Sequence, residues 1–235
     1  MISARKINAL TGKQFKTMMS NPFVITPILL VPLMAFMFSL AIDPEVLPNM
    51  IPLILGMNMI ISTPTVISCL IAEEKEKNTL NVLITSTVSV WDFLISNIII
   101  AVGFTVVINV FIYFIMGAAE FISLGTFMFL TTLGAMAATL LGAVIGIASK
   151  NQAAASTMVS PFMLLLLLPT FFPDNFVMDN IIYYFFTEQV LTTITNIAVD
   201  NASVTWLPLG IIAANIAVLA GVFGWLYKKN GLGLE

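Results

Sequence analysis

The stretch EEKEKNTLNVLITSTVSVWDFL, residues Glu73 to Leu94, organises the rest of the chain, because long apolar runs flank it on both sides. It is the most highly charged segment, and unpaired charges in hydrocarbon cost several kcal/mol, so it must protrude from one membrane face. Glu73 and Lys77 are four residues apart, in the acid-before-base order that favours pairing on one helical face. Leu80 and Leu83 are three apart and share one side of a helix. The stretch therefore predicts a short helix that offers an apolar face to something outside the membrane.

Composition places the chain among multi-pass membrane proteins. It has 235 residues, of which 59% are hydrophobic and 9% are charged, whereas soluble domains are about 25% charged. The single cysteine, Cys69, allows no disulfide within the chain, and without histidine a zinc site is not expected. No catalytic motif and no Gly-x-x-x-x-Gly-Lys-Ser/Thr phosphate loop is found. The chain is therefore predicted not to be an enzyme and to bind no cofactor or nucleic acid itself.

Six apolar runs have, or approach, the roughly 20 residues that a helix needs to cross a bilayer. The fifth run is short and contains Pro161 and Pro169, which predict a kink. Together the runs predict that residues 1–235 form a single transmembrane domain of six helices. In chain order they are Phe23–Ile42, Ile51–Ala72, Phe93–Met116, Phe127–Ala148, Ser156–Phe172 and Leu207–Tyr227.

The distribution of charge predicts the orientation of these spans. With six spans, all nine basic residues fall on one side of the membrane, and the loops on the other side hold only acids. The positive-inside rule then places both termini and residues 73–92 in the cytoplasm of a cell-membrane protein. The basic residues are Arg5, Lys6, Lys13, Lys16, Lys75, Lys77, Lys150, Lys228 and Lys229, and the opposing acids are Asp43, Glu45, Glu120, Asp174, Asp179, Glu188 and Asp200.

Residues 4–19 predict an amphipathic helix that lies in the membrane interface, with its basic face toward anionic lipid headgroups. A disordered basic tail is the alternative, but the two faces separate cleanly at a helical step. The apolar face holds Ile7, Leu10, Phe15, Met18 and Met19, and the basic face holds Arg5, Lys6, Lys13 and Lys16.

The outer segment, residues 173–206, is too apolar for a solvated loop. Apolar residues recur at helical spacing on both sides of Glu188 and Gln189, which interrupt the pattern. The segment therefore predicts two short helices that dip back into the outer leaflet. One tilted helix on the surface is the alternative.

Small residues recur at every fourth position in the fourth and last spans, a pattern that lets a neighbouring helix approach closely. It indicates either a dimer seam or packing within one subunit, and the second is favoured. The residues are Gly134, Ala138, Gly142 and Gly146 in the fourth span, and Ala213, Ala217 and Gly221 in the last.

Uncharged polar residues and methionines enter the spans, where they either line a substrate path or bond between helices. Interhelical hydrogen bonding is the favoured alternative. The candidate path residues are Asn58, Thr63, Asn97, Thr105, Asn109 and Met163.

The motif Glu-Lys-Glu-x-Asn-Thr-Leu-x-x-Leu-Ile-Thr, residues 74–85, resembles the loop after the second span of type-2 ABC exporter permeases. Asn78 stands where that family usually has Gly, and residues 86–89 lack its usual Pro. With the span pattern, the resemblance covers essentially the whole chain. It implies an all-α membrane protein with an N-terminal interfacial helix, six transmembrane helices, a cytoplasmic coupling helix after span 2 and a re-entrant helical pair before span 6.

The resemblance also implies a function. The loop of residues 73–92 would dock on a separate ABC ATPase that carries ATP and Mg²⁺, and a second permease copy or a paralogue would complete the transporter. The chain would export an amphipathic or hydrophobic substrate, such as a peptide, toxin or drug. The alternatives are a loop that only connects two spans, and a non-transporting membrane interaction or sensor protein. The docking residues would be Glu73, Glu74, Glu76, Thr79, Leu80 and Leu83, with the acids near water.

Overall fold

The computed structural model describes residues 4–43, 46–77, 89–171, 180–200 and 202–229, and within these ranges it contains helices and no strand. The predicted all-α class is therefore confirmed for the described part of the chain. Two 3₁₀ turns lie at Ala118–Glu120 and Ile182–Tyr184. The α-helices are α1 (Ala4–Ser20), α2 (Pro22–Ala41), α3 (Leu47–Met57), α4 (Thr63–Glu76), α5 (Val90–Ile115), α6 (Leu124–Ala148), α7 (Gln152–Phe171), α8 (Phe186–Asp200) and α9 (Trp206–Lys229).

Local sequence signals set two helix starts near the charged loop. The Asn21 side chain separates α1 from α2, because its Oδ1 accepts the backbone N–H of Phe23 at 3.0 Å. Pro22 follows at the first helical position, where a backbone N–H would have no acceptor within the helix, so its absence costs no hydrogen bond. Ser89 and Asp92 form a reciprocal capping box at the start of α5. These caps fix where the chain turns before the first and third spans.

The second span is one long helix, Asn49–Glu76, with a π-helical turn at Asn58–Ser62 between α3 and α4. Pro64 has no N–H, so it cannot continue the regular hydrogen-bond ladder, and the wider turn absorbs the mismatch. The Thr63 hydroxyl donates to the Asn58 carbonyl at 3.0 Å. The turn divides the span into an α3 half that packs on α8 and an α4 half that packs on α6 and α7.

The small-residue stripe of the fourth span, α6, faces α4. A methyl group on Gly142 would lie 2.6 Å from the carbonyl oxygen of Pro64, and one on Gly146 would lie 2.9 Å from that of Ser68. The two backbones approach this closely only because glycine has no side chain. Packing within the subunit is therefore confirmed for this stripe, and its face is filled by α4 rather than open for a dimer seam.

The small residues of the last span lie differently. Ala213, Ala217 and Gly221 are exposed on α9, and no described atom lies within 4 Å of a methyl placed on Gly221. The helix packs on α6, and its buried side chains are larger ones such as Ile212 and Phe223. Among the described residues, the favoured packing within the subunit is therefore not seen for this stripe, and the alternative of a dimer seam on α9 stays open.

Five of the six predicted spans are helices long and apolar enough to cross a membrane, namely α2, the α3–α4 span, α5, α6 and α9. The fifth predicted run falls on α7. The apolar part of that helix, Gln152–Leu167, is shorter than the others. A sixth crossing at α7 therefore stays a prediction.

The outer segment differs from its prediction in one respect. The expectation that Glu188 and Gln189 separate two helices is wrong, because both lie in the first turn of the continuous helix α8. The buried Gln189 side chain donates from Nε2 to the carbonyl of Tyr183, which ties α8 to the preceding 3₁₀ turn. Residues 172–179 lie outside the described ranges, so a re-entrant pair over 173–206 stays a prediction.

α1 confirms the helix predicted over residues 4–19 but has three sides rather than two. Leu10, Gln14 and Met18 are buried, and α1 packs mainly on α5. Phe15 and Met19 are 47% and 50% exposed on a neighbouring side. Most of its basic residues are exposed on the third side. One face of α1 therefore packs against the rest of the chain, and its separate apolar and basic faces are exposed.

Candidate functional site

The charged residues of the organising stretch converge at the end of α4, beside the ends of α1, α6 and α7. Glu73 and Glu74 are only 6% and 3% exposed, whereas Glu76 is exposed. The expectation that all three acids lie near water is therefore wrong for the first two. Because an isolated buried charge costs several kcal/mol, these carboxylates need partners within the chain.

Glu73 is held by Asn21 and Lys77. Asn21 Nδ2 donates to Glu73 Oε2 at 2.6 Å, and Lys77 Nζ pairs with Oε1, which confirms the predicted four-residue pairing. The hydrogen bond from Lys77 to Glu73 and the negative charge of that carboxylate raise the pKa of Lys77 above its ordinary value. Asn21 Nδ2 also donates to Gln152 Oε1 at 2.9 Å. One amide group therefore joins the start of α2 to the end of α4 and the start of α7.

Glu74 ties α4 to α1. Lys13 Nζ lies 2.8 Å from Glu74 Oε2, and Gln14 Nε2 makes a long hydrogen bond of 3.5 Å to Oε1. The Lys13 side chain is 41% exposed and that of Glu74 only 4%. The ion pair thus spans the boundary between solvent and the packed interior, and water screens it only from the lysine side.

Lys75 and Glu76 bind the ends of two further helices. Lys75 Nζ donates to the carbonyls of Ile147 and Ser149 at 2.5 and 2.6 Å. These oxygens lie at the C-terminal end of α6, where a cation is favoured. Glu76 Oε2 accepts the backbone N–H of Gln152 at 3.3 Å, at the N-terminus of α7, where an anion is favoured.

We call this set the charged junction. Residues 78–88 follow it directly in the sequence, but they lie outside the described ranges, and with them Thr79, Leu80 and Leu83. The contacts of Asn21 and Gln152 were missed by sequence reasoning, because the two residues are 131 positions apart. The charged junction consists of Lys13, Gln14, Asn21, Glu73, Glu74, Lys75, Glu76, Lys77 and Gln152.

Basic residues gather at this end of the bundle. Seven of the nine lie on α1, at the end of α4 or just before α7, all of which meet at the charged junction, and the other two end α9. At the opposite ends of α2 and α5 lie Asp43 and Glu120. The bundle thus has a basic end and an acidic end, while the side that faces the cytoplasm stays a prediction.

Four of the predicted path residues pair across the contact between the second and third spans. Asn58 Nδ2 donates to Asn109 Oδ1 at 2.8 Å, and the hydroxyls of Thr63 and Thr105 lie 2.8 Å apart. All four residues are buried. Their geometry agrees with the favoured alternative of interhelical hydrogen bonding.

The other two path residues do not join these pairs. Asn97 is buried and donates from Nδ2 to the Phe93 carbonyl of its own helix at 2.9 Å. Met163 is half-buried on α7. The structure therefore does not bring the six residues together, and their role in a path stays a prediction.

Comparison with known proteins assigns the chain to a family. No curated protein matches it. The ABC-2 family transporter proteins match over residues 44–227, which is well over half of the 235 residues and includes every span after the first. The chain therefore belongs to the ABC-2 family of transporter proteins, as a multi-pass membrane permease of an ABC transporter.

Proposed function

We propose that this chain is the permease subunit of an ATP-driven exporter, paired with a second copy or with a paralogue. Family membership implies an ABC ATPase partner in general. The observation that carries the rest is the charged junction at the base of residues 78–88, because a loop moved by an ATPase would pull on it directly. The junction joins α1, α2, α4, α6 and α7, so a displacement there reaches most helices at that end.

Residues 73–92 are proposed to dock on the ATPase, which carries ATP and Mg²⁺. Leu80 and Leu83 would fill an apolar groove and dominate the affinity, since a few buried anchors carry most of a small interface. Thr79, which precedes Leu80 in the sequence, is proposed to dock with them, and the exposed Glu76 would set orientation and on-rate. Glu73 and Glu74 are buried within the chain, so they would act indirectly by holding α2 and α1 to the base of the loop.

The substrate is proposed to be amphipathic or hydrophobic, such as a peptide, a toxin or a drug. No Asp, Glu, Lys or Arg lies deep within any of the six predicted spans. A proton-coupled carrier needs such groups, so the energy is proposed to come from the ATPase. The basic end of the bundle would face the cytoplasm, and the substrate would move away from it.

Co-purification of the partner ABC ATPase with this chain from mild detergent tests this proposal. Leu83→Asp puts a charge into the proposed apolar groove, so we expect normal membrane levels but loss of the ATPase and of substrate-stimulated hydrolysis. Val46→Asp is the matched control, because Val46 is 45% exposed at the opposite end of the bundle, and it should retain both. Full coupled activity in Leu83→Asp would reduce the loop to a connector and favour a non-transporting interaction protein.

A further inference from the structure

Helix α1 packs on the bundle with one side and exposes two further sides of different chemistry. The packed side carries the buried residues Leu10, Gln14 and Met18. At about 100° per residue, the exposed Phe15 and Met19 lie on one flank of that side. The basic residues run from the outward side of the helix to the other flank, and α1 contains no acid that could offset their charge. The exposed surface of α1 is therefore amphipathic.

Two contacts fix the direction in which each flank points. The ring of Phe15 packs on that of Phe104, with the ring centroids 6.0 Å apart. Phe104 lies within α5, which is long and apolar enough to cross a membrane, so the apolar flank faces the hydrocarbon layer beside α5. On the opposite flank, Lys13 reaches Glu74 in the charged junction. The basic residues therefore lie at the head-group level, and Phe15 lies below it.

The four basic residues of α1 are not equivalent. Lys13 is already paired with Glu74, and Lys6 is half-buried. Arg5 and Lys16 are exposed, and among the described residues neither has a hydrogen-bond or ion-pair partner. They are eleven positions apart, which is three turns, so they project from the same side of the helix at a separation of about 16 Å. These two cations are available to a partner outside the chain.

The sign of the charge on α1 and the position of its apolar flank indicate the chemistry of that partner. The whole chain has a net charge of −3, whereas α1 has four basic residues and no acid. An anionic phospholipid matches both exposed sides, because its phosphate meets the cations while its acyl chains meet Phe15 and Met19. An acidic protein segment would match only the basic side and would leave the apolar flank uncovered.

We propose that α1 is a docking surface for anionic phospholipid in the leaflet at the basic end of the bundle. Head groups pair with Arg5 and Lys16, and acyl chains lie against Phe15, Met19 and Phe104. The sequence predicts one basic face for α1, whereas here only two of its four basic residues bind lipid. This role is separate from export, since it needs only the permease in a membrane.

The test uses the purified permease without any ATPase, in phosphatidylcholine nanodiscs. In a Cys69→Ala background, Gly12→Cys carries a bimane fluorophore between the two exposed sides of α1, where no described atom lies within 4 Å of an added methyl. A small fraction of phosphatidylglycerol or of phosphatidylcholine carries a nitroxide near the head of one chain. Quenching of bimane at equal mole fraction then measures how strongly each lipid gathers at α1.

Phosphatidylglycerol should quench at a mole fraction at least about five-fold lower than phosphatidylcholine, because one basic residue near an anionic surface contributes about that factor. High salt should reduce this preference. Lys16→Gln should lower it about five-fold, since Lys16 lies one turn from the fluorophore, and Lys16→Arg should restore it. Lys150→Gln is the matched control, because Lys150 is an exposed lysine at the same end of the bundle that follows α6, and it should leave the preference unchanged.

Two results would overturn the proposal. Equal quenching by the two lipids in the protein that retains Lys16 would leave the basic residues of α1 for an acidic protein partner. Equal losses for Lys16→Gln and Lys150→Gln would show that the preference reflects the charge of the whole basic end rather than a surface on α1. Because no ATPase is present and export is not measured, the outcome is independent of the Leu83→Asp experiment, so failure of one proposal can be told from failure of the other.

Discussion

The fourth and last spans carry similar small-residue stripes, and the fold uses them in opposite ways. On α6 the stripe faces the second span: a methyl on Gly134 would lie 2.5 Å from Met59 Sδ in the π-helical turn, and one on Gly142 would lie 2.6 Å from the Pro64 carbonyl oxygen in α4. On α9 the stripe is exposed, and Ile212 and Phe223 are buried instead. A small-residue pattern therefore permits close helix approach, but the arrangement of the other helices decides whether anything approaches.

Filling the α6 stripe should have the largest effect. Gly142→Val would force the α4 and α6 backbones apart, so we expect the free energy of unfolding to fall by about 3 kcal/mol or more. Unfolding in mixed detergent micelles measures this. Gly125→Val is the control on the same helix, since no described atom lies within 4 Å of its added methyl. Similar losses for both variants would show that the α4–α6 contact is not the tight one.

A smaller effect should follow from removing the charge that holds α4 to α1. Lys13→Ala removes the lysine that pairs with the buried Glu74 carboxylate, so we expect a loss of about 2 kcal/mol, reduced by the exposure of the lysine side. Lys16→Ala, exposed on the same helix, should change the unfolding free energy by less than about 0.5 kcal/mol. Equal losses for Lys13→Ala and Lys16→Ala would mean that packing alone holds α4 to α1.

The smallest effect is expected on α9. Gly221→Val should change the free energy of unfolding by less than about 0.5 kcal/mol, because an exposed position has room for the side chain. Unfolding is measured at two protein concentrations. A loss comparable to that of Gly142→Val, and dependent on concentration, would show that a second copy packs on α9 and that the two stripes are alike after all.

Much of the fold could be predicted because membrane spans are encoded locally. Twenty apolar residues in a row predict a helix whatever surrounds them, since lipid leaves no other way to satisfy the backbone. Five spans and α1 were found in this way. The Glu188–Gln189 interruption was misjudged, because Gln189 is satisfied by the Tyr183 carbonyl of the preceding turn, a contact that hydropathy does not contain.

The site was predicted only in part, since its residues were recognised but their partners were not. The sequence predicted that Glu73 and Glu74 lie near water, and residue spacing predicted only the pairing of Glu73 with Lys77. Their other partners, Asn21 and Lys13, lie 52 and 61 positions away. Because these contacts depend on how α1 and α2 pack against α4, no local pattern predicts that the two acids are buried.

The sequence by itself determined the membrane class, the positions of five spans and of α1, and the segregation of basic residues, because hydropathy and charge act on each segment separately. The tertiary structure alone decided which side of each helix is occupied. It turned Thr63 toward Thr105, and it placed α4 against the glycines of α6 while leaving those of α9 open. The physical reason is that apolar residues surround most spans, so periodicity is weak and only packing geometry assigns the faces.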